Sequence, residues 1–292
     1  MLLAFSSTRP ASLGARGAWE FHRPTLDTAR SLSESTALAE TTMSCSLPPD
    51  VLGLVVDHLR DEPTALKACC LVSKLWVPWA RKHLFAHIDF NPDGPSIESW
   101  MRAFPDPSRS PAHYAYRLST RTLLVTPAQS PNPEPWLRAF HRIKMLRVET
   151  IRRDDSQIHL TPLHGLSSTL ESLSVINSGT PISEVLGLIC SFPSLKDLTL
   201  FSEADDSDPA DRWVIPLTSP KLTGALQLAA RNRTIVQSLL HLPGGLRFRE
   251  IGAACFDADA IEAITDLVLK CCDTLETVNI MYPFPSTFNQ LL

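Results

Sequence analysis

The sequence has 292 residues, of which 44% are hydrophobic and 20% are charged, a composition typical of a folded globular protein. Its net charge of −4, from 27 basic and 31 acidic side chains, argues against a large basic surface for nucleic acid or anionic membranes. No apolar run approaches the roughly 20 residues that cross a bilayer as a helix. The length predicts one or two domains.

The seven cysteines predict an intracellular protein without structural disulfides or a thiolate metal site. Their number is odd, the sequence contains no Cys-x-x-Cys pair, and four of them form the adjacent pairs 69–70 and 271–272 within apolar helical patterns. Disulfide frameworks and zinc sites use other spacings. We therefore expect no metal and no cofactor, and a location in the cytoplasm, the nucleus or both.

Residues 1–44 differ from the rest of the chain in amino-acid composition and in their hydrophobic pattern. They are rich in Ser, Thr, Ala and Arg and show no sustained apolar period. This composition predicts a disordered leader. A targeting segment is the alternative, because the first 19 residues contain no acid, and Met43 is an alternative start.

Residues 45–90 predict three helices. The Leu-Pro-Pro-Asp run at 47–50 places prolines and an acid where a helix begins, and apolar residues over 51–59 recur with helical spacing. A short second helix is predicted over 65–70. The run 71–76 leads into a third helical segment that continues through Trp79 to Phe85, with a restart or kink at Pro78. A unit this small buries little surface alone, so apolar residues on several helical faces indicate contact with a partner or with the rest of the chain.

This segment resembles the F-box, in the form found in the large fungal group of F-box proteins. The family's Leu-Pro start corresponds to 47–48, its Leu-Val-Ser-Lys-x-Trp core to 71–76 and its Leu-Phe-x-x-Ile end to 84–88. The resemblance implies docking on a Skp-type adaptor and, through it, on a cullin. The motif positions then give the docking residues Leu47, Pro48, Leu52, Val56, Val72, Lys74 and Trp76.

Residues 91–114 contain five prolines and predict a linker with a short helix around 96–104. Beyond it, over 115–292, the pattern apolar-x-x-apolar-x-apolar recurs every 23 to 28 residues, and 42 leucines in the chain contribute to it. Helix-like stretches precede several copies. One helix and one strand per period is a unit that buries its apolar face by stacking on its neighbours. The central positions are Leu123, Leu146, Leu173, Leu198, Leu226, Ile251 and Val278.

This C-terminal part resembles a short, irregular leucine-rich-repeat array, which F-box proteins often carry after the F-box. The Asn or Cys that follows each strand in that family is missing, since Ser178, Glu203 and Pro283 hold the place in three copies. A less regular α/β packing is therefore the alternative. The predicted fold class is α+β multidomain, with a three-helix F-box module followed by an irregular α/β leucine-rich-repeat-like solenoid.

In such an array, alternate strand residues face the concave side and form the predicted target-binding surface. Its mixed character suits a protein or peptide better than a phosphate. Strand faces that contact only solvent are the alternative. The predicted target-binding residues are Arg147, Glu149, Ser174, Asp197, Thr199, Phe201, Gln227 and Asn279, with Gly252 in the same row.

The sequence contains no recognisable catalytic motif. Gly-rich phosphate loops, His-Glu-x-x-His and Gly-x-Ser-x-Gly are absent. His83 and His87 have the spacing of two zinc ligands on a helix, but a third ligand with suitable spacing is missing. The alternative of a hydrolase or transferase that uses a cysteine or histidine would require Cys190 or Cys255 beside a histidine in an open cleft. We therefore expect a protein that is not an enzyme and that binds neither nucleic acid nor membrane.

The expected function is that of a substrate-recognition adaptor in a Skp-cullin-F-box type ubiquitin ligase. Residues 45–90 would dock on the Skp-type adaptor, and residues 115–292 would hold an unknown protein substrate, so that the protein contributes proximity and forms no bond itself. The alternative is a non-degradative protein-interaction scaffold with an F-box-like cap. The two hypotheses differ in whether the apolar side chains of 45–90 are available to a partner or buried internally.

Overall fold

The computed structural model is an α/β structure with eight helices and one eight-stranded parallel sheet among the residues it describes. All of these residues belong to one compact unit. The predicted leader, 1–44, lies outside them. The described residues are 47–91, 94–120, 133–150, 160–177, 180–202, 218–230, 233–255 and 258–281.

Three helices form in the N-terminal part, where the sequence predicts them: α1 (Pro49–His58), α2 (Pro63–Val72) and α3 (Val77–Leu84). Each has a proline at its first or second position. Proline is tolerated there because the first N–H groups of a helix have no acceptor within the helix. We call residues 47–84 the helical module.

The helical module encloses a small core of its own, formed by Val56, Leu66, Cys69 and Ala80, with tryptophan side chains packed against it. Gly53 allows the closest approach of α1 to α3, because a Cβ atom at this position would lie 3.0 Å from the ring of Trp79. A core of this size covers only one side of each helix.

The eight strands follow one another across the sheet in chain order. Their register aligns the predicted central positions from Leu146 to Val278 side by side, which confirms six of the seven predicted strands. The strands are β1 (His87–Phe90), β2 (Arg117–Thr120), β3 (Met145–Thr150), β4 (Ser172–Asn177), β5 (Asp197–Ser202), β6 (Ala225–Ala230), β7 (Glu250–Cys255) and β8 (Thr277–Met281).

The beginning of the sheet differs from the prediction. Leu118, not Leu123, lies opposite Leu146, and Leu123 itself is outside the described residues. A further strand, β1, precedes β2, although Ile88 at its centre was assigned to the end of the helical segment. Phe85, Ile88 and Phe90 fit the same apolar pattern as the later strands, so the sequence contains a signal for this strand as well.

Helices pack on one face of the sheet, and together they form the main core with the inward-facing strand residues. Neighbouring parallel strands need such crossover connections because their ends lie at opposite edges. Four of these helices coincide with the helix-like stretches predicted before the strands. The connecting helices are α4 (Ile97–Ala103), α5 (Glu134–Arg138), α6 (Ile182–Cys190), α7 (Arg233–Leu240) and α8 (Ala258–Cys271).

The described residues of the predicted linker 91–114, which are 91 and 94–114, are instead part of the folded unit. Helix α4 is present as predicted, but it buries Ile97, Trp100 and Met101 in the main core. Trp100 lies 5.9 Å from Phe90 and 6.0 Å from Phe140, measured between ring centroids. Prolines in this segment begin short 3-10 turns and so break regular structure without releasing the chain from the core.

Two glycines in different surroundings, Gly244 after α7 and Gly187 in α6, give a stability prediction and its matched control. A Cβ atom at Gly244 would collide with the carbonyl oxygens of Ser219 and Pro220, whereas one at Gly187 in α6 meets only His164, at 3.7 Å. We expect Gly244→Ala to lower the free energy of unfolding by about 1–3 kcal/mol. Gly187→Ala is expected to raise it by roughly 0.5–1 kcal/mol, because alanine favours a helix interior. Urea denaturation of both variants checks the opposite signs, and equal effects would contradict the backbone clash.

Candidate functional site

Exposed apolar side chains are concentrated in the helical module. It holds seven of the thirteen exposed large hydrophobic residues among the described parts of the chain. Leu71 and Val72 are exposed to 88% and 74%, although such side chains are normally the most buried in a protein. We call these seven the helical-module patch: Leu47, Val51, Leu54, Val55, Leu71, Val72 and Leu75.

The patch consists of two groups. Val51, Leu54 and Val55 share the outward side of α1, and Leu47 lies just before this helix. The second group is at the end of α2 and in the turn that leads to α3. Neither group is needed for the small core of the module.

The predicted docking residues divide between the surface and the interior. Leu47, Pro48, Val72 and Lys74 are exposed, and Trp76 is half-buried against the small core. Leu52 and Val56 are buried, with exposures of 4% and 0%, so they support the module and cannot touch a partner. The apolar residues of α1 lie on two faces, and only its packing against the other helices shows which face is inward.

Five patch residues are not among the predicted docking residues: Val51, Leu54, Val55, Leu71 and Leu75. Leu71 belongs to the quoted motif, and the run Leu71-Val72 followed by Leu75 was a possible signal. Nothing local distinguishes these residues from core leucines, because their exposure depends on where α1 and α3 lie.

A polar contact fixes α1 against α3 beneath this surface. His83 Nε2 lies 2.6 Å from Asp57 Oδ1, and Lys82 Nζ lies 3.7 Å from the same oxygen. The hydrogen bond with His83 is the main cause that lowers the pKa of Asp57 below its ordinary value of 3.8. The ionised carboxylate therefore favours the folded state above that value, and its contribution disappears as the pH falls through the lowered pKa.

The predicted target-binding residues all lie on the face of the sheet opposite the main core, which we call the open face. Alternate residues of β4, such as Leu173 and Val175, are buried, while Ser174 and Ile176 between them remain partly exposed. The register places one row across this face. It consists of Arg147, Ser174, Thr199, Gln227, Gly252 and Asn279.

Ion pairs neutralise charges just before the strands and on the open face. Glu171 lies between two lysines, with Lys144 Nζ at 2.7 Å and Lys196 Nζ at 3.4 Å. Hydrogen bonds from Lys144 and then Lys196 lower the pKa of Glu171. Arg147 pairs with Glu149 on its own strand. The pairs of Glu171 are exposed and screened by solvent, so they contribute little to stability.

Two acids on the open face are different. Asp197 Oδ1 accepts the backbone N–H of Ala225 at 2.8 Å, and Glu250 Oε1 accepts a hydrogen bond from Gln227 Nε2 at 3.3 Å. Among the described residues, neither carboxylate forms an ion pair with Lys, Arg or His. Both negative charges therefore remain uncompensated on this face.

The candidate chemical residues do not form a reactive site in the described part of the chain. Helix α3 ends at Leu84 and His87 belongs to β1, so His83 and His87 do not share a helical face. The described residues contain no group of three potential metal ligands. Burial raises the pKa of Cys190 to about 11, which keeps its thiol protonated near neutral pH. The side chain of Cys255 lies outside the described residues.

Comparison with known proteins gives no family assignment: no family model matches the sequence, and no curated protein matches it. None of the described helices combines the length and apolar character needed to cross a membrane. The function is therefore argued from the helical-module patch and the open face.

Proposed function

We propose that the protein is a substrate-recognition adaptor of a Skp-cullin-F-box type ubiquitin ligase. In this proposal, the helical module is an F-box that docks on the Skp-type adaptor, and the sheet is an irregular leucine-rich-repeat-like solenoid that holds a target protein. The observation that carries the proposal is the exposure of Leu71 and Val72 within the Leu-Val-Ser-Lys-Leu-Trp motif.

The energetics of burial favour a partner for this patch. Covering one leucine or valine side chain contributes roughly 1.5–3 kcal/mol. Leaving seven of them in water forgoes this stabilisation and creates a surface prone to association. The scaffold alternative requires that the same side chains be buried by the rest of the chain. The exposure of Leu54, Leu71 and Leu75 above 60% favours the docking hypothesis instead.

The sheet suits a binding role because its two faces have different environments. The helices and the main core occupy one face, and the open face carries polar, small and apolar side chains on strands about 4.8 Å apart. A target held there would have a raised effective concentration at the ubiquitin-transfer machinery. The adaptor needs no catalytic residue for this function, and it would act in the cytoplasm or the nucleus.

The test is reconstitution from purified components. The full chain and a purified Skp-type adaptor, each at about 10 μM, are expected to elute together as a 1:1 complex in size-exclusion chromatography with light scattering. Serum albumin at the same concentration is the control for nonspecific adhesion of the exposed leucines. Separate elution of the chain and the adaptor, or equal association with albumin, would overturn the proposal.

A further inference from the structure

An apolar stripe crosses the open face near the C-terminal ends of the strands. Register places five uncharged apolar residues next to one another on consecutive strands, with Phe201 exposed to 41% and Met281 to 53%. Glu149 of β3 ends the stripe on one side. The stripe, as we call it, consists of Ile176, Phe201, Ala229, Ala254 and Met281.

Two further rows lie beside the stripe toward the N-terminal ends of the strands. The nearer row is uncharged, and the farther row contains two acids. The adjacent row over β4 to β7 contains Ser174, Thr199, Gln227 and Gly252, of which none is ionisable. Gly252 has no side chain, and the amide of Gln227 lies over it. Asp197 and Glu250, which have no ion pair among the described residues, lie four residues from the stripe along β5 and β7. A partner that covers this face therefore contacts first the apolar stripe, then the uncharged row and then the two negative charges.

Spacing favours a helical partner over an extended one. The stripe spans five strands, or about 19 Å at 4.8 Å per strand. Four turns of an α-helix rise about 22 Å, so one apolar side chain per turn follows the strands closely. An extended chain whose alternate residues point to the sheet needs about 27 Å for the same number of contacts. A helix with its side chains is also about 10–12 Å wide, which matches the roughly 13 Å between the stripe and the acids.

We propose that the open face binds an amphipathic helix whose apolar ridge lies on the stripe and whose flank carries Lys or Arg toward Asp197 and Glu250. Charge complementarity fixes the orientation, because the opposite flank would place these cations away from Asp197 and Glu250, the acids without an ion pair on the strands that carry the stripe. The inference deepens the proposed function, since this helix would be the segment of the target that the adaptor selects. The binding step itself does not require the ligase.

The experiment uses the full chain and a synthetic helical peptide of about 18 residues, with Leu on one ridge and Lys on one flank. Fluorescence anisotropy at low salt is expected to show binding that Phe201→Asp weakens at least tenfold. The double variant Asp197→Asn with Glu250→Gln is expected to remove most of the salt dependence of binding, because it removes both negative charges. The local structure is kept, since an asparagine side chain can still accept the N–H of Ala225. Leu269→Asp in α8, an equally drastic change at an exposed leucine, is the control and should leave binding unchanged.

Several outcomes would overturn the inference. One is equal binding of a peptide with the same composition and two central prolines, which cannot form the helix. Others are no binding at about 1 mM peptide, or loss of binding on mutation of Leu71 and Val72, which would place the peptide on the helical-module patch. Circular dichroism verifies that Phe201→Asp remains folded. Co-elution of this variant with the Skp-type adaptor separates failure of the inference from failure of the proposed function.

Discussion

Replacing Leu71 and Val72 together by aspartate is expected to abolish capture of the Skp-type adaptor while the protein stays folded. Both side chains are largely exposed, so their removal leaves no cavity in the small core of the helical module. Apolar anchors at an interface contribute roughly 1–4 kcal/mol each, and placing carboxylates there adds the cost of desolvation. We expect a loss of about 100-fold or more in affinity, measured by isothermal titration calorimetry.

The matched control for this variant is Leu269→Asp, because Leu269 is also exposed, to 64%, but lies in α8 outside the helical module. It should bind the adaptor like the parent protein. Trp76→Ala is a poorer probe, since Trp76 packs against the core of the module and its loss would change folding as well as binding. Retained capture by the folded double variant would refute the docking assignment, and equal weakening by Leu269→Asp would indicate nonspecific adhesion.

Phe140→Ala is expected to cause the largest loss of stability. Phe140 is fully buried, and its ring contacts Trp100 of α4 and Phe90 of β1, with a centroid distance of 6.3 Å to Phe90. Removing a buried phenylalanine costs about 3–5 kcal/mol, because the cavity that remains collapses only in part. Urea denaturation followed by circular dichroism should show a lower midpoint with an unchanged slope.

Phe201→Ala is the matched control, because Phe201 is an exposed phenylalanine on the open face. A surface change of this kind should alter the free energy of unfolding by less than about 1 kcal/mol. If Phe140→Ala were no more destabilising than Phe201→Ala, the aromatic cluster would not hold residues 91–114 in the folded unit.

This cluster also bears on how the two proposed binding surfaces are connected. Helix α3 ends at Leu84 and β1 begins at His87, so only two residues separate the helical module from the first strand. One of them, Phe85, packs against the main core and lies 6.0 Å from Trp100 between ring centroids. The direct connection and the shared packing replace the flexible linker that the proline content predicted. In the proposed ligase adaptor, the fold itself would then set the distance between adaptor and target.

The sequence alone determined the local and periodic features of this protein. Prolines marked the starts of the first three helices, and the apolar pattern located the strands from β3 to β8. These elements can be predicted from the sequence because they depend on interactions between residues that are close together along the chain. Proline fixes its own backbone, and a strand buried on one face repeats its apolar residues with period two.

Only the tertiary structure decided which apolar residues are buried and which are exposed to solvent. Leu52 and Leu54 are nearly adjacent in sequence, yet one is buried and the other exposed, because α3 packs on one side of α1. The stripe exists because register brings Ile176, Phe201 and Met281 onto one row from points about 25 to 105 residues apart along the chain. Pairings at such separations depend on the packing of whole elements, which no local pattern contains.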